Sequence, residues 1–297
     1  MSILKLLAVH DLERLIRSKR LWLIGGLFVG AAVLLGGGVV LMLNAVENAL
    51  MSELGASTGA ALTPEMRDEI IRQLGQEVDT RWQRAGALQR SLLGTSAFAL
   101  AMFALPGLVV VSFSDSLARD RRNRSWRFDT LRASRAELLG VRVTTTTLLV
   151  IALVGLACAT VLLPAAMFLE TQSLSGALHA LAAILLRIAP AAFVIVAWVF
   201  TASASTPSAT AALIRAVLLL AALTLGIELL ALILMSAAEL DQDGFIIRAL
   251  HALQPGRHAV QLASSDTVEA ARGALALIAH GAAGCAATYA IVKRSDA

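Results

Sequence analysis

The acidic stretch ELDQDG, residues 239–244, is the segment whose residue types come closest to a metal-binding loop. Carboxylates at alternate positions with a glycine at position six are typical of a calcium loop. With Glu239 at position one, Gly244 falls at six, but position twelve is Leu250, where a bidentate carboxylate is needed. The spacing therefore favours a polar turn leading to a short helix that breaks at Pro255-Gly256, and we predict no metal site.

Catalytic signatures are missing from the sequence. It has no G-x-x-x-x-G-K-[ST] phosphate loop, no H-E-x-x-H pair and no zinc-type cysteine spacing, and its five histidines are scattered. Cys158 and Cys285 both lie in apolar stretches, where cysteine usually acts as a small packing residue. We therefore expect a protein that is not an enzyme and binds no cofactor directly.

Two charged residues stand inside long apolar stretches. Arg187 and Glu228 each lie roughly ten residues from the same side of the membrane, a depth of about 15 Å on a helix. A lone charge at that depth costs at least ~2.5–3.5 kcal/mol on insertion scales. The sequence thus predicts that Arg187 and Glu228 pair with each other, and a role in a substrate pathway is the alternative.

The densest charge lies in residues 114–142, which hold eight of the 25 basic residues. Ser134 and Glu137 have the spacing of a capping box, which predicts that a helix begins at Ser134. Before it, Trp126 and Phe128 fit a short amphipathic helix. Aromatic side chains projecting from a basic surface indicate a docking site for another protein.

The elements that position these residues are apolar helices. The chain is 58% hydrophobic and 15% charged, against about 45–50% and about 25% in soluble domains. Six apolar stretches are long enough to cross a hydrocarbon core of about 30 Å. We predict an all-α, polytopic membrane domain over residues 1–297, with spans at about 21–43, 92–113, 143–169, 177–202, 208–236 and 270–292.

Basic residues are unevenly divided between the segments that join the spans. Residues 1–20 carry five, the 114–142 loop eight and the last five residues two, against five in 44–91 and three in 237–272. The positive-inside rule therefore places both termini in the cytoplasm and 44–91 and 237–269 outside. The net charge of +4 belongs to this pattern, so we exclude nucleic acid as a partner.

Shorter sequence patterns predict further features of the segments between the spans and of the first span. Residues 1–20 are expected to form an amphipathic helix on the membrane surface, with Leu7 and Leu15 on its apolar side and Asp11 in water. The outer segment 44–91 is expected to contain a helix over about 64–90. Asp266 and Glu269 resemble a capping box for the last helix. Close approach of another helix to the first span is expected at its glycines, Gly26, Gly30 and Gly36-Gly37-Gly38.

The 114–142 loop resembles the cytoplasmic loop of ABC-2 type permeases, the membrane subunits of ATP-binding-cassette exporters. In that family an E-R-x-x-G-T-L-like stretch leads to an S-R motif and a G-K before the third span. The corresponding places are held here by Asp120-Arg121, Ser125-Trp126-Arg127-Phe128, Ser134-Arg135, Gly140 and Arg142. The basic start ending in Arg17–Trp22, the six spans and the turn STPSATAAL extend the likeness over essentially the whole chain.

The resemblance implies a permease subunit that exports a substrate across a prokaryotic inner membrane, with ATP and Mg²⁺ held by a separate ATPase. It implies two ATPase copies and a second permease, either identical or a close paralogue. The ATPase-coupling residues it implies are Asp120, Arg121, Trp126, Arg127, Phe128, Arg132, Ser134 and Arg135.

Two other functions stay open, a secondary transporter and a non-transporting scaffold or sensor subunit. The substrate class is open as well: drugs, lipids, glycans, peptides and metal-maturation systems are all compatible with the sequence.

Overall fold

The computed structural model describes residues 3–53, 92–122, 133–169, 173–237, 244–262, 264 and 266–295. Every regular element in these ranges is helical, which confirms the predicted all-α class for them. The predicted outer helix over 64–90 lies outside the described residues, as does most of ELDQDG.

The described helices follow one another along the chain, and a π-helical turn at Ala222–Gly226 joins two of them into one rod. They are α1 (Ile3–Ile16), α2 (Lys19–Glu53), α3 (Leu92–Phe113), α4 (Ser116–Arg122), α5 (Arg135–Phe168), α6 (Leu174–Ala204), α7 (Ala209–Ala221), α8 (Ile227–Ala237), α9 (Phe245–Ala252), α10 (Pro255–Gln261) and α11 (Thr267–Ser295).

Six segments in the described ranges are long and apolar enough to cross a membrane, as predicted. They comprise α2, α3 continuing into α4, α5, α6, the α7–α8 rod and α11. The chain is therefore a multi-pass membrane protein. Most of these helices extend beyond the apolar stretches; α5, for example, begins at Arg135, because the capping box at Ser134 starts it before the apolar residues begin.

Helix α6 lies at the centre of the bundle and packs against α3, α5, α7 and α11. Its buried face includes Ile184, Ile188, Ala192 and Phe200. Helix α11 comes close to α6 at Gly281, where an added Cβ would stand 2.3 Å from the Phe193 ring. Glycine at this position therefore allows α11 to pack against the central helix.

Helix α2 packs against α5 at only some of its glycines. A Cβ added to Gly36 would lie 2.2 Å from Val161, whereas one added to Gly26, Gly30, Gly37 or Gly38 would meet nothing within 4 Å. The predicted close approach is therefore confirmed for Gly36. No described helix of this chain comes close to the other four glycines, where approach by a second chain stays a prediction. These four glycines lie on the open side of α2.

The segment between α8 and α11 folds back along the bundle instead of remaining outside it. Gln254 Nε2 donates to the carbonyl oxygen of Thr224 at 3.0 Å, and Thr224 lies 13 residues, about 20 Å, before the end of the α7–α8 rod at Ala237. The short helix ends just before Pro255-Gly256, as predicted, but a second short helix begins at the break. Pro255 begins this second helix, α10, as its first residue, because proline's missing N–H has no intrahelical partner at that position.

Candidate functional site: the charged junction of α1, α4 and α5

Helix α4, which opens the predicted coupling loop, is fastened to the central helix. The backbone N–H groups of Leu117 and Ala118 donate to Ser203 Oγ at 3.0 and 3.1 Å. The first N–H groups of a helix have no partner within it, and here a hydroxyl near the end of α6 accepts two of them. Leu117, Ala118 and Ser203 are all buried, so α4 is held firmly against α6.

Four charged side chains connect α4 to two other helices, and we name them the charged junction: Asp11 and Arg14 of α1, Asp120 of α4 and Arg142 of α5. Arg14 Nη1 donates to Asp120 Oδ1 at 2.8 Å, and Arg142 Nη1 donates to Asp120 Oδ2. Asp11 Oδ1 lies 3.2 Å from Arg14 Nη2 and 3.8 Å from Arg142 Nε. The two carboxylates and two guanidiniums therefore alternate in charge.

Three of the four residues of the charged junction are buried, and Arg14 is about one-third exposed. Asp11, Asp120 and Arg142 are 5–6% exposed, and Thr145 Oγ1 adds a hydrogen bond to Asp11 Oδ2 at 2.5 Å. Buried ions are tolerated where they are paired and hydrogen-bonded, and removal of one partner leaves an uncompensated charge. The arrangement thus requires α1, α4 and α5 to keep their relative positions.

Asp11 corrects the sequence prediction, which placed it in water. The inward side of α1 instead carries Asp11 and Leu15, while Leu6 and Val9 are 59% and 51% exposed. The only sequence signal was the i, i+3 spacing of Asp11 and Arg14, which is common on solvated helices. Its partners on α5, Arg142 and Thr145, are more than 100 residues away in the chain.

Asp115, just before α4, forms a second group of ion pairs beside the charged junction. Its Oδ2 lies 2.8 Å from Arg20 Nη1 and 2.6 Å from Arg119 Nη2. Sequence reasoning did not single out Asp115 or Arg20, although both adjoin the loop and the first span. Together they tie the beginning of α2 to the turn between α3 and α4.

Ser134 forms the predicted capping box with Glu137. Its Oγ accepts the Glu137 N–H at 3.2 Å, and Glu137 Oε2 accepts the Ser134 N–H at 2.8 Å. The corresponding box at α11 is only half formed: Asp266 accepts the Val268 N–H, but Glu269 accepts from Ser264 Oγ. Arg135 reaches the carbonyl of Lys293 at 3.5 Å, so the loop and the end of α11 lie at the same end of the bundle.

The implied coupling residues are divided between two parts of the chain. Asp120 is in the charged junction, Arg121 follows it in α4, and Ser134 and Arg135 begin α5. The others lie outside the described residues: Trp126, Arg127, Phe128 and Arg132. The described geometry therefore covers both ends of the loop.

The predicted pair of Arg187 and Glu228 is not formed. Glu228 instead binds Arg257 of α10, with Nη2–Oε1 and Nε–Oε2 distances of 3.0 and 3.4 Å. The reason is that α10 folds back along the bundle and brings Arg257 to the level of Glu228. The sequence had placed Arg257 in a segment on the outer side of the membrane. Among the described residues, Arg187 has no ion pair, and its Nη1 is buried without a hydrogen-bond partner.

A cavity of about 680 Å³ lies beside α6. It is bounded by α3, α6, α7, the π-helical turn, α10 and α11, and almost all of its lining side chains are apolar. Trp198 and Thr224 contribute the polar exceptions, and Pro255 of α10 is among the lining residues. Two walls of this cavity, α3 and α6, are also the helices that hold α4.

The sequence matches no protein-family model and no curated protein. The geometry of the described residues and the loop resemblance are therefore the grounds on which a function is proposed.

Proposed function

We propose that this chain is the permease subunit of an ABC-2 type exporter and that a separate ATPase supplies the energy. The observation that carries the proposal is the charged junction, where the helix opening the 114–142 loop is ion-paired to α1 and α5. A loop that only determined topology needs exposed positive charge and no such buried pairing. The pairing is what a loop requires if it is to pass movement to the membrane spans.

The proposed coupling runs from the loop into three parts of the bundle. Movement of α4 is passed through Asp120 to Arg14 of α1 and to Arg142 of α5, and through Ser203 to α6. Since α5 and α6 are 34 and 31 residues long, a small displacement at their ends can shift packing along the whole bundle. The shape of the 680 Å³ cavity would change with this packing, because α3 and α6 form two walls of the cavity.

In this proposal the ATPase docks on the aromatic part of the loop, Trp126 and Phe128, with Arg127 and Arg132 beside them. Two ATPase copies and a second permease copy complete the exporter, and both termini are cytoplasmic in a prokaryotic inner membrane. ATP and Mg²⁺ belong to the ATPase, in accord with the missing phosphate loop in this sequence.

The proposal is tested by purifying the tagged permease from its native membranes together with any ATPase and reconstituting the complex in liposomes. We expect Phe128→Ala to lower ATPase retention at least tenfold, because truncating an interface anchor often costs ~2 kcal/mol or more. Phe168→Ala is the matched control, since Phe168 is 65% exposed at the other end of α5. Normal retention and ATP turnover in Phe128→Ala, Trp126→Ala and their double mutant would contradict the docking role.

The same preparation separates the alternatives. A secondary transporter would move its substrate in response to an ion gradient without any ATPase present. A scaffold or sensor subunit would retain partners but give no ATP-dependent transport. Absence of an ATPase from gently solubilised membranes, with the permease intact, would reject the exporter proposal.

A further inference from the structure

A basic pocket lies at the bend between α1 and α2, next to α4. It has a volume of about 460 Å³ and is lined by five cationic side chains, Arg14, Arg17, Lys19, Arg20 and Arg119, with Glu13 as its one acid. Three helices and the turn between α1 and α2 contribute these cations, so the fold itself brings them together. We name this cavity the elbow pocket.

The described acids near the elbow pocket are shared between several cations. Asp115 is shared by Arg20 and Arg119, and the acids that contact Arg14 also serve Arg142. Glu13 lies 3.8 Å from Arg17, and Lys19 has no ion pair among the described residues. Among the described residues that line the pocket, five cations therefore stand beside one carboxylate, Glu13.

Exposed apolar side chains lie close in sequence to the cations that line the elbow pocket. On α1, Leu12 and Ile16 are 39% and 42% exposed, and on the first turn of α2, Trp22 and Leu23 are 66% and 64% exposed. Exposed apolar residues at the start of a membrane span face acyl chains, and tryptophan is enriched at the level of the lipid headgroups. Each of these four residues lies within three positions of a cation of the pocket, which is the arrangement expected where a lipid headgroup meets its acyl chains.

The backbone adds to the attraction for an anion. Lys19 and Arg20 form the first turn of α2, a helix of 35 residues. The first N–H groups of a helix lack intrahelical partners and carry the positive end of the helix dipole. Anions are favoured at such a position, and here cationic side chains surround it.

We propose that the elbow pocket binds the phosphate group of an anionic phospholipid, with the acyl chains lying along the apolar residues of α1 and α2. A basic pocket between membrane helices has the chemistry that recognises acidic headgroups. Zwitterionic lipids fit less well, because their ammonium group would meet a pocket that is already positive. This site does not depend on the exporter proposal, since it requires only that the chain spans a membrane.

The test uses the full-length protein, delipidated in a neutral detergent, with thermal unfolding as the measurement. Phosphatidylglycerol, phosphatidylcholine and inorganic phosphate are added in separate titrations. We expect phosphatidylglycerol to raise the Tm of the wild-type protein clearly more than phosphatidylcholine does. Equal shifts with the two lipids would overturn the proposal, and an equal shift with inorganic phosphate would show that the ligand is a soluble anion instead.

Two double variants separate this site from general attraction of negative lipids. Arg17→Ala/Lys19→Ala should weaken the apparent affinity for phosphatidylglycerol about tenfold or more. Lys293→Ala/Arg294→Ala removes the same charge from exposed positions at the same end of the bundle, and should leave that affinity within about twofold. Because Arg17 and Lys19 are exposed, both variants should fold, which a near wild-type Tm in phosphatidylcholine will verify. Equal losses in the two variants, or no loss in the first, would refute the site.

Discussion

Arg257 of α10 binds Glu228 of α8 through two nitrogens, at Nη2–Oε1 and Nε–Oε2 distances of 3.0 and 3.4 Å. Gln254 supports the pair, because its Oε1 accepts from Arg257 Nε at 3.0 Å while its Nε2 donates to the π-helical turn at Thr224. The pair therefore fixes the folded-back segment to the α7–α8 rod, at a depth where an unpaired carboxylate would be costly.

This relationship predicts that Glu228 is coupled in stability to Arg257 and not to Arg187. Glu228→Gln and Arg257→Gln should each destabilise the protein, and the double mutant should lose less stability than the sum of the two single losses, because each single substitution leaves the other charge without its partner. The measurement is a double-mutant cycle of unfolding free energies in mixed micelles. Arg187→Gln supplies the control cycle, and coupling of Glu228 to Arg187 but not to Arg257 would show that the pairing is wrong.

The charged junction predicts that Asp120→Asn is strongly destabilising. The loss should be about 3 kcal/mol or more, because the buried Arg142 loses an ionic partner inside the protein. Glu13→Gln is the matched control: it also removes a carboxylate paired with an arginine, but Arg17 and Glu13 are 82% and 57% exposed, so less than about 1 kcal/mol is expected. Unfolding free energies of the two variants in mixed micelles decide the matter, and similar losses would argue against a buried junction.

Two neighbouring glycines of α2 should respond in opposite ways to the same substitution. Gly36→Ala should cost about 1–3 kcal/mol, because its Cβ would overlap Val161. Gly37→Ala should be neutral or stabilise the protein by up to about 1 kcal/mol, because alanine is more favourable than glycine inside a helix and the added methyl group would meet no other atom. Thermal unfolding measures both. Val161→Ala should restore much of the Gly36→Ala loss, and failure of this rescue would place α2 differently against α5.

The bundle geometry predicts the sidedness of three exposed positions. Ser134 lies at the same end of the bundle as Lys293. Ser175 lies in the first turn of α6, whose last turn contacts α4, so Ser175 is at the other end of the bundle. Cysteines introduced at 134 and 293 should react with an impermeant thiol reagent from the cytoplasmic side, and a cysteine at 175 from the outside. Inverted and right-side-out vesicles give the two measurements. Labelling of 134 and 175 from the same side would contradict the six-span order.

The sequence by itself determined the helices and their approximate ends. An apolar stretch of 20 or more residues has few alternatives in a membrane, because a helix satisfies its backbone hydrogen bonds locally. The capping box at Ser134 is similarly local, since Ser134 and Glu137 are three residues apart. Asp120 was singled out only through a family resemblance, and its burial could not be read from a segment so rich in charge.

Only the tertiary structure decided which charges pair. Depth along two spans suggested Arg187 for Glu228, but depth says nothing of which faces of two helices meet, and α6 and α8 do not bring these residues together. The fold-back of α9 and α10 supplied Arg257 instead. Asp11 shows the same limit, because its neighbours in the chain indicate a solvated side whereas Arg142 and Thr145 of α5 enclose it. Pairing of charges distant in sequence depends on helix rotation and packing, which hydrophobic length and local spacing leave undetermined.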